Sequence, residues 1–422
     1  METSRIIIPS TIYLRICALR GTHLLPGLNE IYIPDNTSID LSPIMLLVSG
    51  ASLNVVELNN NAISDRSFFI PFLDSLASKS PHLRHLSLCG AGNVSLEFVS
   101  RFANLRRLEI RILGTYLYPQ TLRRLGTLAN LLDLTLQVDV GPPIPLPAIN
   151  VRSSTLSSSS YYGRLQRLHV IGIPSSITRV LDDVNLTSLT KLVIDESDNT
   201  RETETFWKRL FNQISVCYAM EDIEVNQYTR TSGHERCSLL TSWFFPLLNL
   251  KNVKNLVING SVLSGSDDDF RLLACAFPKL QKFIVPHGYY SQGRTLACLF
   301  YFSQECPDLL EIKISLAFDI SSNIEAIERL PHTILVNNRH PLEKLYINSQ
   351  FGKTLQPTKM VQVAQYLNLI FPNITILEAY NSTATDIQNW TGIQQTRVAL
   401  RSTWLDSFQR TRSDMMDRAT YD

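Results

Sequence analysis

Three consecutive carboxylates, Asp267, Asp268 and Asp269 in "SGSDDDF", raise the possibility of a calcium loop. Such a loop needs oxygen ligands at alternate positions and a distal Glu, which this stretch lacks. The run suits a helix N-terminus instead, where acidic groups meet unsatisfied backbone N–H groups. "INSQFGKTLQP" contains Gly352, Lys353 and Thr354, the closing residues of a phosphate-binding loop. The loop requires a glycine five residues before Gly352, and Ile347 stands there, so a polar turn is expected. His82 and His85 share a short stretch, but no Cys or carboxylate stands beside them at a zinc-like spacing. His332 and His340 flank a loop and carry no motif. No G-x-S-x-G, H-E-x-x-H or G-x-G-x-x-G is present, and nothing pairs a nucleophile with a base. No catalytic residue, cofactor or metal is therefore assigned, and a non-enzymatic protein is expected.

The remaining chemistry is that of a surface, and its position depends on a repeat. The pattern apolar, two any, apolar, one any, apolar begins at Leu28, Leu53, Leu83, Leu105, Leu131, Leu165, Leu189, Met220, Val253, Leu280, Leu309, Leu342 and Ile374. These thirteen copies are spaced by 22 to 34 residues, which defines an array. The second and third apolar residues are two apart, so an extended chain turns both to one face. Pro81, Pro278, Pro307 and Pro372 stand two residues before the first apolar position, and Pro341 directly before it. Proline blocks helix continuation, so the preceding segment must stop there.

Those segments have helical spacing. "RSFFIPFLDSLASK" places Phe68, Phe69, Phe72, Leu73 and Leu76 at steps of three and four. "DDDFRLLACAFPK", "TLACLFYFSQECP" and "TKMVQVAQYLNLIFP" repeat the scheme. One strand–helix unit cannot bury its own apolar face, so neighbours must stack. Parallel strands sit about 4.8 Å apart and packed helices about 8–10 Å, which bends the stack with strands inside. The fold expected is α/β, a solenoid with parallel strands on a concave face and helices on the convex face.

Residues alternating with the buried positions then face the concave side. Partner-binding residues expected there are His85, Arg107, Glu109, Arg111, Arg167, His169, Lys191 and Tyr346. Arg107, Arg111, Arg167 and Lys191 are expected to form one basic stripe across neighbouring repeats, and Arg is enriched at binding hot spots.

"LLPGLNEIYIP", "KSPHLRHLSLCG", "RFANLRRLEI" and "LRRLGTLANLLDLTL" resemble leucine-rich repeats. The irregular units with P-x-L or N-L ahead of the strand resemble the repeat region of basidiomycete-type fungal F-box proteins. The resemblance covers roughly residues 20 to 390. It implies a horseshoe solenoid that binds protein partners. In relatives with an F-box, the repeats hold substrate while an L-P-x-E helical motif docks on a ubiquitin-ligase adaptor. That motif is not visible here, and residues 1 to 27 are read as an N-terminal cap segment. A ubiquitin-ligase link would require an F-box encoded upstream.

Irregular repeats are assigned to residues 28–390, with a mobile insertion about 139–163 where prolines precede a serine run. Smaller loops are expected at "SGHERCS" and "VNNRHP". Residues 391–422 are read as a C-terminal helix over the last repeat and a frayed tail. The net charge of +1 among 422 residues provides no field toward nucleic acid or an acidic membrane. Three isoleucines before Pro9 are too few for a secretory core, and no apolar run of about 18 residues exists. Seven scattered cysteines without a CxxC imply reduced thiols in cytoplasm or nucleus, and the seven N-x-S/T sequons gain no meaning from that context. The partner expected is an unidentified protein.

Overall fold

A computed structural model describes residues 15, 27–33, 53–59, 66–91, 96–113, 119–138, 161–197, 203–227, 238–260, 262–286, 294–316, 324–325, 340–349 and 354–419. The chain divides into two units, Met1–Glu202 and Thr203–Asp422. Of the insertion expected at 139–163, residues 139–160 lie outside the described residues, as do residues 232–237, the pair Gly352–Lys353 and almost all of the N-terminal segment; residues 161–163 are described, and Tyr162 is buried.

Seven parallel strands build the first unit: β1 (Glu30–Ile33), β2 (Val55–Asn59), β3 (His85–Ala91), β4 (Arg107–Leu113), β5 (Asp133–Val138), β6 (Arg167–Gly172) and β7 (Lys191–Glu196). Each pairs with the next in chain order. Between them lie helices α1 (Arg66–Lys79), α2 (Pro119–Gly126) and α3 (Pro174–Asp183), and a 3-10 helix at Glu97–Arg101. Leu86, Leu108, Leu134, Leu168 and Leu192 are consecutive register partners and all are buried. Phe69, Phe72, Leu73 and Leu76 of α1 are buried too, so the apolar stripe of the helix reaches the core.

The second unit begins with α4 (Thr203–Ile214) and continues with β8 (Asp222–Gln227), β9 (Ser238–Leu240), a 3-10 helix (Thr241–Asn249), β10 (Asn255–Asn259) and β11 (Val262–Ser264). Next come α5 (Asp267–Ala276), β12 (Lys282–Val285), α6 (Ala297–Glu305), β13 (Glu311–Ser315), β14 (Lys344–Asn348), α7 (Pro357–Ile370), β15 (Ile376–Ala379) and α8 (Ala384–Ala419). β8, β10, β12, β13, β14 and β15 pair in parallel in that order. β9 and β11 form a separate two-stranded parallel sheet. Ile223, Leu256, Phe283, Ile312, Leu345 and Leu377 are register partners, again buried. Each unit is a leucine-rich-repeat solenoid, with one strand for every copy of the pattern.

Not every repeat contains an α-helix. In the shortest interval, from Leu83 to Leu105, the one helix among the described residues is the 3-10 helix Glu97–Arg101. The second 3-10 segment, Thr241–Asn249, contains Pro246, much as α1 contains Pro71.

A shared turn precedes the strands. The first apolar residue donates its N–H to the carbonyl three residues back, as in Leu83 to Ser80, Leu105 to Phe102, Leu131 to Leu128, Leu280 to Phe277 and Leu309 to Cys306, at 3.1–3.2 Å. The asparagine just ahead of that position ties adjacent repeats together. Asn104 Nδ2 donates to Pro81 O at 2.8 Å, and Asn130 Nδ2 to Ala103 O at 3.3 Å. Asn252 Nδ2 donates to Tyr218 O at 3.0 Å, and Asn373 Nδ2 to His340 O at 3.1 Å. The carbonyl reached is always two residues before the first apolar position of the preceding repeat. This gives the N-L lead-in a physical reason.

α8 packs on α7 and β15 through a face with many polar groups. Trp390 Nε1 donates to Ser349 Oγ at 2.9 Å, and Asn389 Oδ1 accepts from Leu355 N at 3.0 Å. The helix runs to Ala419 and therefore includes most of the tail read as frayed.

Candidate functional site

The strands place the expected residues on the face opposite the leucine rows. His85, Arg107, Asp133, Arg167 and Lys191 are successive register partners across β3–β7. Ser87, Glu109, Thr135 and His169 form the next row. Arg111 lies one row farther along β4, opposite Cys89. Seven of the eight expected residues thus share one face of the first unit. Tyr346 belongs to the second unit.

The register sets an acid within the expected basic stripe: Asp133 stands between Arg107 and Arg167. Its Oδ2 lies 2.9 Å from Arg167 Nη2 and 3.8 Å from Arg107 Nε. Glu109 is similarly flanked, 2.7 Å from Arg111 Nε and 3.8 Å from Arg107 Nη2. The two signs sit at different heights. The side chains of Arg107, Arg111 and Arg167 are 50%, 42% and 58% exposed, those of Glu109 and Asp133 only 13% and 16%. Carboxylates form the floor and guanidinium groups the outer layer.

His169 Nε2 lies 2.7 Å from Asp195 Oδ2 on the neighbouring strand. His85 sits 3.9 Å from Glu57, and burial, then the nearby Arg107 charge, pushes its pKa below the ordinary histidine value. Ser87 and Thr135 are buried in the floor. Among the described residues, no group of three His, Cys, Asp or Glu side chains could hold a metal ion.

In the second unit, Lys313 Nζ stands 4.6 Å from the Tyr380 ring and 5.9 Å from that of Tyr346, near enough for cation–π attraction. Asn259 Nδ2 donates to Asn226 Oδ1 at 2.7 Å, and Asn226 Nδ2 to Glu224 Oε1 at 3.0 Å. This face combines amides and aromatic rings with charged side chains, such as Lys282 and Glu311 at 3.6 Å, and its described strands carry no arginine.

The other motifs resolve into structure. Ser266 caps α5: its Oγ accepts from Asp269 N at 3.4 Å, and Asp269 Oδ2 accepts from Ser266 N at 2.8 Å. Asp267 turns to the next repeat and accepts from Thr295 N and Thr295 Oγ1 at 2.7 and 2.6 Å, just ahead of α6. His340 is buried. His82 is exposed, and His332 lies outside the described residues. The five described cysteines are unbridged, and burial pushes the thiols of Cys217 and Cys306 up to about 12. No described helix is long and apolar enough to cross a membrane.

Sequence reasoning missed the difference in height between acids and bases, which depends on rotamers rather than on spacing. It also missed the His169–Asp195 contact, whose only signal is that the two positions lie on adjacent strands, two residues apart in register.

No family model and no curated protein matches this chain. Solved structures similar to it include an internalin of Listeria monocytogenes, 15% identical, with a TM-score of 0.40, covering 84% of this chain and 74% of that one. A leucine-rich repeat protein of Leptospira interrogans is also similar, 15% identical, with a TM-score of 0.44, covering 90% of this chain and 83% of the other.

Proposed function

We propose that the protein is an interaction scaffold that acts by binding rather than by catalysis, and that a protein partner docks on the strand face of the first unit. His85, Arg107, Glu109, Arg111, Arg167, His169 and Lys191 would meet it, with Tyr346 serving a separate contact in the second unit. The observation supporting this reading is the guanidinium layer of Arg107, Arg111 and Arg167, close to half exposed above shielded carboxylates. Partly exposed arginines set over an ordered sheet lose little freedom on docking and offer several donors each.

The test is co-purification from the source cell with the native chain, with Arg107→Glu/Arg111→Glu/Arg167→Glu, and with a control reversing Arg123 and Arg124 on α2. A partner lost only from the strand-face variant supports the reading. Identical protein sets from all three chains contradict it.

A second reading draws on the P-x-L and N-L lead-ins, which resemble those of fungal F-box repeats: the repeats would form the substrate-holding part of a ubiquitin-ligase receptor. An in-frame L-P-x-E helix encoded upstream of Met1 would support it, and an in-frame stop codon there would exclude it.

A further inference from the structure

We infer that the partner segment recognised by β4–β6 is acidic, an extended stretch of polypeptide with carboxylates about three residues apart. This rests on the reading of the strand face as the docking surface and specifies its chemistry.

Charge placement carries the inference. Two carboxylates, Glu109 and Asp133, are shared among three arginines. A guanidinium has five N–H donors in a planar fork. The close contacts here are one at 2.9 Å for Arg167 and one at 2.7 Å for Arg111, while both of Arg107's carboxylate contacts are 3.8 Å long. The floor acids therefore neutralise part of the charge, while the three guanidinium groups stay 42–58% exposed and only Arg167 and Arg111 make a carboxylate contact shorter than 3 Å. A basic partner would meet arginines first and reach Glu109 and Asp133 only by displacing them. An acidic one meets donors at once.

The register adds a spacing. Arg107 on β4 and Arg167 on β6 both flank Asp133 in one row, two strand spacings apart, or about 9.6 Å. Three residues of a polyproline-II chain make one turn and span about 9.3 Å, so side chains three apart return to the same side. A peptide crossing the strands with acidic residues at every third position can pair with both. Arg111 extends the donor layer along β4. Lys191 continues the row on β7.

The test uses the full chain and fluorescence anisotropy. The probes are a labelled twelve-residue peptide with Asp at every third position, the same peptide with Lys for Asp, and an oligothymidine of similar length. The acidic peptide should bind about tenfold or more tightly than the Lys peptide and weaken as salt rises. Arg107→Gln/Arg111→Gln/Arg167→Gln should lose about tenfold, while the matching Lys variant keeps most of the affinity, with both variants melting like the native chain. Equal binding of acidic and basic peptides would overturn the inference, as would undiminished binding by the Gln variant. Tighter binding of oligothymidine would replace it with phosphate recognition. If the acidic peptide fails while the strand-face reversal still removes a co-purified partner, only the chemistry is wrong. If both fail, the docking surface itself is misplaced.

Discussion

His340 accepts the N–H of Leu342 through Nδ1 at 3.2 Å, replacing the backbone carbonyl that serves this role in neighbouring repeats. Its Nε2 faces Cys306 O at 3.1 Å and must therefore donate, which fixes the neutral tautomer with the proton on Nε2. The ring packs edge-on against Phe371 with centroids 4.8 Å apart. Protonating Nδ1 would put a second proton where Leu342 already donates.

Stability should therefore depend on pH. Burial lowers the His340 pKa below its ordinary value of 6.5. Below about pH 6.5 the unfolded chain binds a proton that the folded one refuses, so stability is full above that pH and falls as pH drops toward the folded pKa. His85, lowered mainly by burial, contributes in the same direction. Urea unfolding at pH 7.5 and pH 5 should show the loss. His340→Asn, which can keep an acceptor without titrating, should flatten it. An equal slope in both proteins would assign the effect elsewhere.

Asn104→Ala removes the link from Nδ2 to Pro81 O. Both groups are at the surface, so the expected cost is about 0.5–1.5 kcal/mol, read as a lower urea midpoint at unchanged slope. A stability equal to the native chain would make the asparagine lead-in a habit of sequence rather than a stitch between repeats.

Gly126→Ala should be worse than an ordinary helix substitution. An added Cβ would lie 2.9 Å from Tyr162 Cε2, and that ring is buried with its hydroxyl donating to Leu122 O at 2.6 Å. The expected loss is about 1–3 kcal/mol from overpacking. Tyr162→Leu in the same chain should relieve part of it, a coupling measurable by a double-mutant cycle.

Asp267→Asn keeps one acceptor where the carboxylate offers two, while Thr295 N and Oγ1 both donate to it. The buried Arg294 nearby also loses an opposing charge, since Asp267 raises its pKa while burial pulls it down to about 10. A loss of about 1–3 kcal/mol is expected in thermal unfolding. Asp268→Asn, on the exposed neighbour, should be close to neutral.

The leucine rows could be read from spacing because burial imposes it: Leu86, Leu108, Leu134 and Leu168 occupy the same pattern position and meet in one row. The strand-face residues followed from alternation alone. Other features depend on three-dimensional neighbours that no spacing records. Asp267 was read as part of a cap for its own helix and instead serves the next one, a choice set by where Thr295 folds back. His340 looked like a loop residue because a side chain standing in for a carbonyl leaves no pattern. Asp133 alternates with the buried Leu134 and so faces outward by the same rule, but its position beneath Arg107 and Arg167 comes from short acids lying below long arginines.

Hydroxyl-radical footprinting of the chain with and without its co-purified partner tests the central claim most directly. Loss of oxidation at His85, His169 and Cys89, with Ile70 on α1 unchanged, is the expected result. Protection of Ile70 and the helices with those strand residues oxidised as before would place the partner on the opposite side and contradict the account.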